Sequence, residues 1–455
     1  MGIACDRFDS YGVVRNMVVV RLFLAGGLLS LLVACSPDEQ VTQTQTVAEF
    51  EPAYTMQEVL EHHRKIPDDD HWWNVMGEEM GWLHKNVQQV FPSVPVYRAG
   101  QVRELEYDLI PAIADHPVQT PKGQMRFADF LFDEQSTAMG VVILHKGKIV
   151  FESYPRMKDY EKAVYWSVSK IFAGTIVGLL DERGLVDVNK PIEFYIPDLA
   201  GSSFAGTTVR SFLEHATGLD CGDDYENPQT CYYQYSMAIG DNIRDASAPD
   251  NPYDYLASAK VERLVEQGTQ FSYSGANNFI LAWLIQEVTG YPLQDIVTKE
   301  FWYQIGAESD ASFFAYRYGI AVSHGGFTSR IRDLARFGLL FTPSWSVVAD
   351  RKIISDDFLA LLRTGANLNL WRNSSYGEAL NTVFQWGVTE SGDWLEHGGW
   401  GGQGLLISPT RDVVAVYTAY SEKITSKYNF SAIELTPVVF DVVNTVFSEV
   451  PPDSP

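Results

Sequence analysis

Two hairpin signals, one near each end of the globular part of this chain, limit what it can fold into. Residues 138–145 are an apolar, β-prone run, Lys146-Gly147 is a turn, and residues 148–154 form a second strand. Residues 402–408 and 413–420 repeat the pattern around Pro409-Thr410-Arg411-Asp412. A lone hairpin is barely stable in water, so the two are expected to share one sheet. Between them the apolar spacing turns helical, as in Ile171, Phe172, Ile176, Val177, Leu179 and Leu180, with Gly184 as a stop. Residues 433–447 read as a final amphipathic helix. The expectation is an α+β fold: an antiparallel sheet assembled from both ends of the domain and flanked by N- and C-terminal helices. Residues 190–380 form a mostly helical inserted subdomain.

The chain divides unevenly. Residues 18–34 are almost wholly apolar and end Leu32-Val33-Ala34-Cys35, the pattern of an export signal. The cysteine directly after small residues resembles a bacterial lipoprotein signal. That resemblance implies a signal peptide over residues 1–34, cleavage before Cys35 and lipidation of Cys35. Ser36 after the cysteine points to the outer membrane, facing the periplasm. Residues 1–16 carry mixed charge and fit such a signal poorly, which makes Met17 a candidate start. Residues 35–56 are polar and rich in Gln and Thr, and read as a flexible tether. Residues 57–126 form an extension whose Trp72, Trp73 and Trp82 need a surface to pack on, so it is expected to pack on a main domain spanning 127–455.

The formal net charge is -24. An acidic surface excludes nucleic acid as a partner and disfavours anionic lipid, leaving the lipid anchor as the membrane contact. Cys221 and Cys231 bracket a segment full of turn-forming residues and in an oxidising compartment read as a disulfide. Neither cysteine belongs to a C-x-x-C or has a histidine nearby, so no metal site is expected.

Ser167-Val168-Ser169-Lys170 is the only S-x-x-K in the chain and opens the helical run above. Residues i and i+3 share a helix face, so Lys170 can reach the Ser167 hydroxyl. The helix N-terminus adds positive potential where an oxyanion would form. A serine nucleophile also needs a proton donor for its leaving group. Tyr273, in the polar turn Ser272-Tyr273-Ser274-Gly275-Ala276-Asn277-Asn278, is the candidate relay. His397-Gly398-Gly399-Trp400-Gly401-Gly402 precedes the last hairpin, and glycines at a strand edge let a backbone approach a ligand. A backbone N–H from this edge and that of Ser167 would form an oxyanion hole.

In this order and spacing, the three segments resemble the serine β-lactamase/penicillin-binding-protein superfamily, nearest its class C-like branch of esterases, D-peptidases and 6-aminohexanoate-oligomer hydrolases. Ser167 and Lys170 match the nucleophile and base, and Tyr273 matches the tyrosine of Y-x-N. His397-Gly398-Gly399 stands where K-T-G or H-x-G stands, so that Trp400 would supply the second oxyanion N–H. The stretch from Thr208 to Leu219 (T-V-R-S-F-L-E-H-A-T-G-L) and the stretch Gly325-Gly326-Phe327-Thr328-Ser329 with Arg332-Asp333-Leu334-Ala335-Arg336-Phe337-Gly338 also resemble family segments. The resemblance implies a serine hydrolase that needs no cofactor and acts on a small-molecule substrate. Two positions depart from the pattern. Gly275 replaces the Asn of Y-x-N, with Asn277 and Asn278 near and Asn277 a candidate substrate-binding residue, and His397 replaces the Lys of K-T-G. Both departures favour a small ester or amide over a β-lactam or a D-alanyl peptide. The alternatives are a penicillin-binding D-peptidase or β-lactamase, and a catalytically inactive binding module of the cell envelope. His324, just before Gly325-Gly326, is a candidate for the pocket edge with loop packing the expected role. His215 is expected to be structural, and Trp371, Trp386 and Trp394 are expected to be core rather than pocket lining.

Overall fold

The computed structural model describes residues 53–67, 73–370, 380–422, 424–426, 429–430 and 434–448. The signal segment, Cys35, most of the tether, Trp72 and Trp371 lie outside the described residues.

The helices that position the site are α1 (Glu78–Val90), α2 (Lys170–Glu182), α3 (Gly275–Thr289), α4 (Ile331–Leu339) and α5 (Leu435–Val446). The strands are β1 (Ser93–Val96), β2 (Ala138–His145), β3 (Lys148–Ser153), β4 (Ala163–Val164), β5 (Ala311–Phe314) and β6 (Phe327–Ser329). They continue as β7 (Leu380–Val383), β8 (Trp386–Thr389), β9 (Leu395–Gly399), β10 (Gln403–Ser408) and β11 (Val413–Ala419). Seven of them form one antiparallel sheet in the order β3-β2-β11-β10-β9-β8-β7. Both expected hairpins are present. They meet at β2 and β11, where Val141 faces Tyr417 and Leu144 faces Val414. Lys146 and Gly147 both take positive φ, as a tight two-residue hairpin turn requires.

Strand alternation divides the core. Val142 and Leu144 enter one apolar cluster with Ile171, Ile176 and Leu334 from α2 and α4. Val141 and Ile143 point the other way, into a second cluster with Phe127, Phe130, Val439 and Val443. A sheet covered on both faces explains why these strands read as unbroken apolar runs.

A second sheet, absent from the sequence reading, has the order β1-β5-β6-β4. Its edge strand β1 comes from the extension and pairs antiparallel with β5, Val94 opposite Phe313. Residues 52–455 form one compact unit, so the extension at 57–126 and the main domain share one body. The inserted region contributes β5 and β6 to this small sheet as well as its helices.

Candidate active site

Ser167 sits in a tight turn, Trp166–Ser169, that runs directly into α2. Phe327 clasps this turn from both sides. Its carbonyl accepts from Tyr165 N (2.9 Å), and its amide donates to Ser169 Oγ (2.9 Å). Ser167 is half-buried, whereas Lys170 behind it is 1% exposed. Lys170 Nζ lies 3.2 Å from Ser167 Oγ and 2.7 Å from the carbonyl oxygen of His324. The same nitrogen stands over the Tyr273 ring, 4.6 Å from its centroid. Tyr273, far away in sequence, therefore shares one spot with Ser167 and Lys170.

Tyr273 is held from behind. His215 packs on its ring at 4.7 Å between centroids, and His215 Nδ1 accepts from Ser274 N (3.2 Å). His215 is thus a packing residue, in line with the sequence. The loop closed by the Cys221–Cys231 disulfide lies alongside. Asp223 N donates to Tyr273 O (3.0 Å), and Asp223 Oδ1 accepts from Gly275 N (2.6 Å). Desolvation pushes the Asp223 carboxyl above the usual range, against the pull of the Lys170 charge and the Gly275 N–H.

Strand β9 completes the front wall. His397, Gly398, Gly399 and Trp400 are partly exposed, and Gly399 lies against Tyr165, one residue before the nucleophile turn. His397 Nδ1 is 2.8 Å from Gly398 O. A cavity of about 220 Å³ opens beside Tyr273 between its ring and this strand, lined also by His215, Thr382, Gln385, Glu396 and His397.

Two readings from the sequence need correction. Asn277 is 1% exposed within α3, so no substrate atom reaches it in this conformation. Asn278 is the residue that ties into the site's frame, its Nδ2 donating to Lys170 O and to Gln385 Oε1, both at 3.1 Å. His324 does more than pack a loop. Its ring is buried between Tyr235 OH at Nδ1 (3.0 Å) and Asp241 Oδ2 at Nε2 (3.3 Å), which leaves its carbonyl aimed at Lys170. Burial pushes Tyr225, Tyr232 and Tyr235 well above the usual phenol range, so they act here as neutral hydrogen-bonding groups. Trp386 and Trp394 are core: the first donates to Thr175 Oγ1 (3.0 Å), and the second packs on Phe440.

Three contributors escaped the sequence reading. Trp73 of the extension meets Trp400 and Tyr225 edge-on, at 6.4 and 5.3 Å between centroids. Asp223 lies in a polar loop whose direction no pattern sets. His84 gave no signal, since a lone histidine on a helix carries none. Among the described residues, no group of three or more His, Cys, Asp or Glu is placed to hold a metal ion.

Residues 124–429 match the family model described as Beta-lactamase. Over 290 residues the chain is 27% identical to a 6-aminohexanoate-dimer hydrolase of Paenarthrobacter ureafaciens, covering 62% of this chain and 72% of that protein. A solved structure described as a candidate 6-aminohexanoate-dimer hydrolase of Bacillus anthracis superposes with a TM-score of 0.71 at 22% identity, covering 86% of this chain and 99% of that one. A family VIII carboxylesterase superposes with a TM-score of 0.55 at 16% identity, covering 76% of this chain and all (100%) of that one.

Proposed function

Because the chain belongs to the Beta-lactamase family of serine hydrolases, we propose that it hydrolyses a small ester or amide through an acyl-enzyme on Ser167. The observation that carries this reading is Lys170 Nζ, 3.2 Å from Ser167 Oγ and over the Tyr273 ring. Lys170 takes the Ser167 proton as Oγ attacks the carbonyl carbon. The N–H groups of Ser167 and Trp400 hold the developing oxyanion. Tyr273 gives its phenolic proton to the leaving oxygen or nitrogen and recovers one from Lys170. Water then attacks the acyl-enzyme by the same route in reverse, releasing the acid and restoring Ser167.

The substrate class follows from the departures from the family pattern. The amide and lysine that would grip a β-lactam or D-alanyl carboxylate are replaced by Gly275 and His397. The curated relative is named for a linear amide, the 6-aminohexanoate dimer, which is the kind of bond proposed here. In the same reading the enzyme is exported and tethered through Cys35. The apolar segment 18–34 and the bonded Cys221–Cys231 pair support that placement.

The test is labelling with an active-site fluorophosphonate followed by peptide mapping. Turnover of short-chain nitrophenyl esters, linear aminohexanoate oligomers, D-alanyl peptides and a chromogenic cephalosporin is then compared. The adduct is expected on Ser167, with esters or linear amides turned over fastest. Folded protein that carries no adduct at Ser167 overturns the reading.

A further inference from the structure

The match to the family begins at residue 124, yet α1, over Glu78–Val90, enters the heart of the site. Its His84 is fully buried. His84 Nε2 accepts the indole N–H of Trp166 at 2.9 Å. An indole nitrogen only donates, so the ring proton sits on Nδ1, which donates to Ala419 O at 3.2 Å. Burial pushes this imidazole down to about 3, which keeps the neutral tautomer in place at any ordinary pH.

One partner of His84 adjoins Ser167, and the other is linked to Trp400 through Gln403. Trp166 immediately precedes Ser167 and holds φ at +46°, a left-handed conformation costly for a bulky residue. An external contact must keep it there. On the other side is the turn that carries Trp400. Gln403 Nε2 donates to Trp400 O (3.0 Å) and to Ala419 O (2.7 Å), the same carbonyl that His84 uses. A Cβ on Gly401 would lie 2.8 Å from His84 Cε1, so the imidazole fills the space under that turn.

We propose that His84 is a positioning residue for acyl transfer, one side chain that sets both halves of the oxyanion hole by holding Trp166 ahead of Ser167 and bracing the Trp400–Gln403 turn. This rests on the acyl-enzyme reading of Ser167 given above. The extension is then part of the catalytic frame. Losing one oxyanion donor costs about 100- to 1000-fold in kcat, and a 1 Å misplacement about 100-fold.

The experiment compares the wild type with His84→Phe, His84→Gln, Trp166→Phe and the His84→Phe/Trp166→Phe pair. It measures kcat and KM on a nitrophenyl ester, the rate of fluorophosphonate labelling, and thermal unfolding. His84→Phe keeps an aromatic ring but loses both the Nε2 acceptor and the Nδ1 donor. Its kcat and labelling rate should fall together by roughly 100-fold, with KM within about threefold. His84→Gln, whose amide oxygen can take the indole N–H, should stay within about tenfold of wild type. Trp166→Phe should fall like His84→Phe, and the pair should fall no further than either alone. A folded His84→Phe with wild-type kcat, or a His84→Gln no better than His84→Phe, overturns the inference. If His84→Phe does not fold, a folded Trp166→Phe with wild-type kcat overturns it equally. Wild-type protein without label at Ser167 sinks the acyl-enzyme reading and this inference with it. Normal wild-type labelling with an unaffected His84→Phe sinks this inference alone.

Discussion

A side chain on Gly399 would place its Cβ 2.2 Å from the carbonyl oxygen of Tyr165 and 3.1 Å from Gln403 Cβ. Strand β9 and the nucleophile turn therefore approach so closely that only glycine fits. Gly399→Ala should push the two apart by roughly 1 Å, enough to cost about 100-fold in kcat. Steady-state assay of the folded variant checks this, and wild-type turnover would show that the approach is not needed for catalysis.

Gly275 stands where the family places an asparagine, and the space for that side chain is filled. A Cβ there would meet His324 Cδ2 and the Tyr232 hydroxyl, both at 2.9 Å. Restoring the family residue by Gly275→Asn should overpack the site and destabilise the protein by about 1–3 kcal/mol, without raising cephalosporin turnover. Thermal denaturation and a chromogenic cephalosporin assay read the two outcomes. A stable variant with new β-lactamase activity would contradict the packing argument.

The Cys221–Cys231 bridge closes a short loop whose Asp223 N–H holds the Tyr273 carbonyl. Replacing both cysteines by serine should cost about 3 kcal/mol of stability, chiefly by freeing the unfolded chain. Because the loop rests on Tyr273, kcat should fall several-fold as well. Unfolding curves with and without a thiol reductant measure the first effect, and unchanged midpoints would count against it.

Burial raises the Glu214 carboxyl to about 7, against the pull of Arg210, whose Nη1 lies 3.9 Å away. Its ordinary value is 4.5, so between these limits the unfolded chain has released a proton that the folded chain retains. Stability attached to this group is complete below pH about 4.5 and is lost as pH rises towards 7, on the order of 3 kcal/mol. Glu214→Gln should flatten that part of the profile. Melting temperatures of both proteins between pH 5 and 7.5 test this, and parallel slopes would rule it out.

Much of the frame can be read from residue order because local chemistry agrees with it. The Lys146-Gly147 turn, the apolar runs of β2, β10 and β11, and the spacing of Ser167 and Lys170 each depend on neighbours a few residues away. Gly398 and Gly399 could be read because a glycine edge has a backbone purpose of its own. What stayed hidden depends on long-range contact. β1 is four residues with one buried side chain, too short and too mixed to announce a strand until β5 pairs with it. His324 matters through its carbonyl, and a carbonyl leaves no mark on residue identity. His84 and Trp73 belong to helix and loop segments whose own patterns say nothing of the residues they meet.

The pairing of β2 with β11 also constrains the order of events during folding. Val141 finds Ser153 early, but its partner on the other side only when Tyr417 has been made. No amino-terminal fragment can close the large sheet, and the loop to be closed spans most of the chain, a topology associated with slow folding. Until then β2 presents a bare apolar edge, the kind of surface on which chaperones act and aggregates grow. The price of joining both ends in one sheet is a long wait with the core open. A protein delayed in this way becomes an enzyme only when its last strands arrive.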